Sequence, residues 1–107
     1  MPPVSTKCKA KKRPTGLRTA LFGLLMLTRQ LAVELAPQIR VNGISPGTVA
    51  FPEDYTEEQR ASLLRRVPAG REGTPEDVAR AVIFLVRDAP YVTGHVIALD
   101  GGRSAQL

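Results

Sequence analysis

Val41-Asn42-Gly43-Ile44-Ser45-Pro46-Gly47-Thr48-Val49 decides how this 107-residue chain is read. Ile39 to Ser45 has the character of a strand, and Pro46-Gly47 is the turn signal that bounds it. In an open parallel sheet, ligands bind outside the carboxyl ends of the strands. Pro46 ends the strand at such an edge, and Gly47 lets the backbone turn where a side chain would collide with a ligand. Asn42, just before this turn, is expected to bond backbone groups rather than to take part in chemistry.

Upstream, Arg18 to Leu35 has a helical pattern that is apolar on nearly every face of its first two turns, which predicts burial on more than one side. Pro37 ends that helix and restrains Ala36 before it to extended geometry. Downstream, Thr48 to Tyr55 reads as a loop. Thr56-Glu57-Glu58-Gln59 has the form of a capping box and opens a short surface helix to about Arg66. Thr74-Pro75-Glu76-Asp77 is a stronger start: threonine caps, proline at the first helical position loses no hydrogen bond, and the acids suit the positive dipole end. This helix is expected to reach about Val86, with Val78, Val82, Ile83, Leu85 and Val86 facing a core. Val96 to Leu99 is a β-branched strand closed by Asp100-Gly101-Gly102. Helix, strand, loop with helix, helix and strand make the second half of an α/β sheet protein.

Composition narrows the function classes. Lone Cys8 forms no internal disulfide, and with His95 as the one histidine a Cys/His metal cluster is excluded. No apolar run approaches the roughly 20 residues that span a bilayer, so no membrane role is expected. The net charge of +5 is a front-end feature. Residues 1–35 hold seven basic residues against Glu34 alone, whereas residues 36–107 hold eight arginines against nine acids. All four lysines (Lys7, Lys9, Lys11 and Lys12) precede residue 13. Residues 1–17 are expected to be a basic, disordered tail, because so little apolar content cannot offset the entropy of ordering. The folded body is expected over residues 18–107. A nucleic-acid-binding module would rest on Lys7 to Arg13 alone, since the body has no basic stripe with interleaved aromatics, and nucleic acid is not expected as a partner.

From Leu24 to Ser104 the chain resembles the C-terminal part of a short-chain dehydrogenase/reductase. The resemblance is carried, in family order, by Leu27-Thr28-Arg29, Glu34-Leu35-Ala36-Pro37, Ile39 to Gly47, Arg71 to Ala79, Phe84-Leu85, and Tyr91 to Gly102. Phe51-Pro52-Glu53-Asp54 and Gly102-Arg103-Ser104 are similar to the pteridine-reductase-like branch. The resemblance implies an incomplete C-terminal portion of a Rossmann-like, doubly wound parallel sheet, a cytoplasmic location and NAD or NADP as cofactor. It assigns the nicotinamide carboxamide contact to Thr48 and Val49, with Pro46 and Gly47 shaping it. It makes Ala50 to Arg66 part of a lid, and it implies homo- or hetero-oligomers through the helix around Leu24 to Leu35.

The same resemblance exposes what is missing. The family's proton-donating tyrosine and the lysine one turn later fall at Leu17 and Leu21, and neither side chain can donate a proton or carry charge. No lysine follows Tyr55 or Tyr91 at that spacing, so no catalytic residue is assigned. There is no Gly-x-Gly-x-x-Gly to receive a pyrophosphate. The expected function is therefore a fragment of an NAD(P)-dependent oxidoreductase of the carbonyl- or pterin-reducing kind, inactive by itself, arising by truncation or by a frameshift near residue 20. The alternative is a short non-catalytic partner that pairs with a full-length relative through its apolar helix. With a sheet edge and helix faces left uncovered, the isolated chain is expected to be marginally stable, self-associating or partly molten.

Overall fold

The computed structural model describes residues 15–49 and 51–105. The element order is α1 (Thr15–Glu34), β1 (Gly43–Pro46), α2 (Glu57–Leu64), α3 (Pro75–Ile83), a π-helical turn (Phe84–Asp88), β2 (Val96–Leu99) and a short 3₁₀ turn (Arg103–Ala105). β1 and β2 form a two-stranded parallel sheet in which Gly43 stands opposite Val96 and Pro46 opposite Leu99. Parallel neighbours need a long crossover, and here the crossover contains α2 and α3. The result is a partial Rossmann-like α/β unit, as the sequence implies.

Both capping boxes form. Thr56 accepts from the Gln59 N–H and its own N–H donates to the Gln59 side chain, while Thr74 and Asp77 do the same for α3, with Pro75 in the first turn. α2 buries no residue, in keeping with its thin apolar content. Two boundaries differ from expectation. α1 opens at Thr15, so residues 15–17 belong to the helix and not to the basic tail; residues 1–14, where the rest of that expectation falls, lie outside the described residues. β1 is shorter than Ile39 to Ser45 and starts at Gly43, because the residues before it spend their polar groups elsewhere.

Those residues form a clamp. Arg40 donates from Nη1 to the carbonyls of Leu85 (2.8 Å), Ala89 (3.0 Å) and Val92 (3.2 Å), and from Nη2 to Val86 (3.1 Å). The last carbonyls of a helix have no partner within it, and one guanidinium supplies them here. The α-helix expected to run through Val86 accordingly changes to π-helical geometry at Phe84. Asn42 confirms its structural role: its Nδ2 donates to Val92 O (2.9 Å) and its Oδ1 accepts from the His95 N–H (3.1 Å). Gly94 N–H donates to Val41 O (2.7 Å) and Thr93 Oγ1 accepts from Val41 N–H (3.1 Å), so the two strand lead-ins are joined before the ladder begins.

Apolar burial is thin. Among the described residues the buried apolar side chains are Ala32, Val67, Leu85 and Ala89. Of the five residues expected to face a core from α3 and its extension, Leu85 is buried and Val78 half-buried, while Val82, Ile83 and Val86 are exposed. α1 packs by its C-terminal half, where Ala32 stands close to Gly94 and Thr28 returns its hydroxyl to Leu24 O at 2.8 Å. Elsewhere on the helix Phe22 and Met26 are open, 69% and 58% exposed. The expected two-sided burial of this helix is therefore not met within the chain.

Replacing Arg40 by alanine is expected to cost about 2 kcal/mol, because part-buried carbonyls lose a charged donor. Arg40→Lys should rescue little of this, since a compact ammonium cannot span the four carbonyls. Amide exchange from Phe84 to Val92 should accelerate in both variants, and unchanged exchange would contradict the clamp.

Candidate functional site

Because β1 and β2 are parallel, their carboxyl ends open on one edge, and the four candidate residues lie there. Pro46 is the last residue of β1, and Gly47 N–H continues the ladder to Leu99 O at 2.9 Å. A Cβ on Gly47 would stand 2.7 Å from Asp100 Cβ and 2.8 Å from Asp100 Cα. The sequence reading attributes this glycine to clearance for a ligand; the structure gives it an internal reason, the close approach of the turn after β2.

Thr48 and Val49 then run beside the segment leading into α3. Thr48 O accepts from Gly73 N–H (2.9 Å), and Val49 forms a parallel bridge with Gly73. Among the described residues no partner stands on the N–H groups of Thr48 and Val49 or on the Thr48 hydroxyl. Free donors at a strand end suit a carboxamide or similar acceptor, so these residues fit the nicotinamide end of a dinucleotide. The described residues include no glycine-rich loop at a helix N-terminus for its pyrophosphate.

The depression at this edge is lined by Thr48, Arg71, Asp77, Arg80, Asp100 and Ser104, among others. Arg71 Nη1 donates to Asp77 Oδ2 at 2.8 Å. Asp77 is held well below the usual carboxylate range, first by that Arg71 hydrogen bond and then by the Thr74 N–H. Asp100 closes the turn after β2 by accepting from the N–H groups of Gly102 (3.0 Å) and Ser104 (3.1 Å). It too is lowered, chiefly by the Ser104 side chain and then by those amides, against an opposing penalty from partial desolvation. Both acids are therefore carboxylates near neutrality, good acceptors and no proton donors.

The loop beyond Val49 is latched by contacts that the sequence reading did not anticipate. Phe51 N–H donates to Glu72 Oε2 at 3.0 Å, the Phe51 and Tyr55 rings pack 5.9 Å apart, and the Arg60 guanidinium lies 5.7 Å from the Phe51 ring centre. No local spacing signals Glu72 or Arg60; the partners meet only through the crossover. Tyr91 and His95 precede β2, at the opposite end of the sheet, and contribute no group to this edge. No cluster of His, Cys, Asp or Glu among the described residues could hold a metal, and no described helix is long and apolar enough to cross a membrane.

Residues 16–104 match the family model described as enoyl-(acyl carrier protein) reductase. The chain belongs to the short-chain dehydrogenase/reductase family. It is similar to the 3-oxoacyl-[acyl-carrier-protein] reductase FabG of Thermotoga maritima, 45% identical over 82% of this chain and 37% of that protein. It is also similar to the inactive 2-(S)-hydroxypropyl-CoM dehydrogenase 2 of Xanthobacter autotrophicus, 47% identical over 77% of this chain and 40% of the relative. Carbonyl reductase family member 4 of Xenopus tropicalis is 43% identical over 79% of the chain and 36% of the relative. A crystal structure from Sinorhizobium meliloti 1021, described as a short-chain alcohol dehydrogenase, superposes with a TM-score of 0.71 at 38% identity, over 80% of this chain and 36% of that one. The chain thus spans well under half the length of these relatives.

Two outcomes check this site. Gly47→Ala should separate the ends of β1 and β2 at a cost of about 1–3 kcal/mol, because Asp100 backbone cannot yield as a flexible side chain would. Unchanged amide protection of Gly47 in that variant would refute the close approach. Asp77 has a lower pKa folded than unfolded, so its stabilisation is complete above about pH 4 and is lost as pH falls toward the folded value. Asp77→Asn should melt lower than the parent at neutral pH, and the gap should shrink steadily below about pH 4.

Proposed function

We propose that this chain supplies the nicotinamide-facing strand end of an NAD(P)-dependent carbonyl reductase and does not itself transfer hydride. The observation that carries the reading is the pair Leu17 and Leu21 in the first turns of α1, where the family resemblance expects tyrosine and lysine. A carbonyl that accepts a hydride needs a proton on its oxygen. The carboxyl groups lining the edge, Asp77 and Asp100, are both held ionised. Thr48 and Val49 would hold the carboxamide of the cofactor, with Gly47 and Pro46 fixing their direction; the cofactor itself would supply the hydride.

The names of the relatives support a carbonyl substrate, 3-oxoacyl groups among them. The pterin branch rests on Phe51-Pro52-Glu53-Asp54 and Gly102-Arg103-Ser104 alone. The Xanthobacter relative, inactive by name, is precedent for this scaffold without turnover. A cytoplasmic setting belongs to the same reading. A second reading has its own observation: Leu24, Met26, Leu27 and Val33 of α1 are all more than half exposed, which suits pairing with a full-length relative through Leu24 to Leu35.

The test is to mix the purified chain with NADH or NADPH and a 3-oxoacyl thioester. No cofactor oxidation above the uncatalysed rate is expected, and cofactor fluorescence should show no saturation below about 1 mM. Steady turnover that co-purifies with the chain would overturn the proposal.

A further inference from the structure

We infer that α2 and its flanking turns form a strap hinged at Val67 to Ala69 and latched at Phe51, and that Glu72 is the positioning residue that keeps it shut beside Thr48 and Val49. The family resemblance implies a lid over this part of the chain; which end opens, and what holds it, come from this chain's own contacts. The inference stands on those contacts and not on the cofactor reading.

The far end of the strap is fixed by packing. Val67 is buried, and the Ala69 N–H donates to Gly101 O at 3.0 Å. A Cβ on Gly101 would stand 2.7 Å from Val67 Cγ1 and 3.0 Å from Ala69 Cβ, and one on Gly102 would stand 3.2 Å from Pro68 Cγ. The turn that receives this end is the one whose Asp100 comes up against Gly47. Val67, Ala69, Gly101 and Gly102 also line the depression that contains Thr48, so the hinge is part of the wall of the candidate site.

Among the described residues, the near end is tied to the body by one hydrogen bond, from Phe51 N–H to Glu72 Oε2 at 3.0 Å. The receiving side is rigid. Arg71 Nη1 donates to Glu72 O (3.0 Å) and to Asp77 Oδ2 (2.8 Å), and Gly73 N–H donates to Thr48 O, so the backbone on either side of Glu72 is held. The moving side is joined to α2 by ring contacts: Phe51 packs on Tyr55 with the Arg60 guanidinium over its ring. α2 itself buries no residue, and among the described residues its side chains make no hydrogen bond beyond the capping box.

The shut position is opposed from within. Arg60 Nε is buried there without a partner, and a buried donor left unmet is destabilising until water reaches it. Release of Phe51 unpins the ring beneath that guanidinium and lets water in. A charge-assisted bond at Glu72 therefore holds the strap while an unmet donor beside it favours release, and the strap opens from the latch about the packed hinge.

The experiment follows amide exchange of the full chain with no ligand present, reading Phe51 at the latch, Ala69 at the hinge and Gly43 in the sheet. Phe51 should exchange fastest and Gly43 slowest. Glu72→Ala should speed Phe51 by about tenfold, as expected for losing a bond to a carboxylate, and leave Ala69 within about twofold. Glu72→Gln keeps an acceptor oxygen and should bring Phe51 back to within about threefold of the parent. Arg60→Lys puts a methylene in place of Nε and keeps a cation by the ring, so it should slow Phe51 by about threefold. A contact with no latching role would not respond in both directions. The glutamine and lysine variants carry the test if the alanine chain fails to fold. A common rate for all three amides in the parent would overturn the inference. So would Phe51 unmoved, or Ala69 accelerated alongside it, in Glu72→Ala. No recovery in Glu72→Gln, or Phe51 exchange in Arg60→Lys no slower than the parent's, would do the same. NADH and NADPH take no part in these readouts, so failure here and failure of the hydride reading are separable.

Discussion

Arg40 and Asn42 lie on the short run that leads into β1, and together they bond the carbonyls of Leu85, Val86, Ala89 and Val92 and the amide of His95. Two strands of four residues each make few ladder bonds of their own. What holds them in register is that their lead-ins are already joined by side chains reaching 45 to 53 residues along the chain. The same guanidinium ends the helix behind them. With so little apolar surface buried, the side-chain donors of Arg40 and Asn42 on these carbonyls carry a large share of the specificity of this fold.

The carboxyl edge depends on that register. With Gly43 opposite Val96, Gly47 comes up against Asp100, and the chain turns there because no side chain intervenes. Thr48 and Val49 are then laid beside Gly73, which sits next to the cap of α3. The arrangement presents unpaired amides and two ionised carboxylates. Its carboxyl groups, Asp77 and Asp100, accept hydrogen bonds and donate no proton near neutrality. Leucines at positions 17 and 21 complete that picture from the other side of the sequence.

The elements read most faithfully from sequence are those whose causes are local. Thr56 with Gln59 and Thr74 with Asp77 cap their own helices three residues on, so their spacing was sufficient evidence. Pro46 and Gly47 marked a strand end for reasons internal to their own backbones. The strand start was misplaced because Val41 bonds Thr93 and Gly94 ahead of the ladder, and the change from α- to π-helical geometry at Phe84 was not foreseen; no periodicity reveals either. The exposed Val82, Ile83 and Val86 show the same limit: their pattern is that of a buried face, and burial needs a second surface. The position of Pro46 to Val49 at a strand end was legible, whereas the Glu72 latch on Phe51 and the Arg60 contact with its ring required the crossover to bring them together.

Sequence by itself determined the family, the order of helices and strands, the carboxyl-edge position of Pro46 to Val49, and the absence of a tyrosine–lysine pair, since each depends on residue type at fixed spacing. Tertiary structure alone decided that Gly47 is demanded by Asp100, that Arg40 reaches the carbonyls at the end of a helix, and which side of β1 is left open. Those outcomes depend on which distant backbone groups come within hydrogen-bond or van der Waals reach, and chain spacing does not encode that distance.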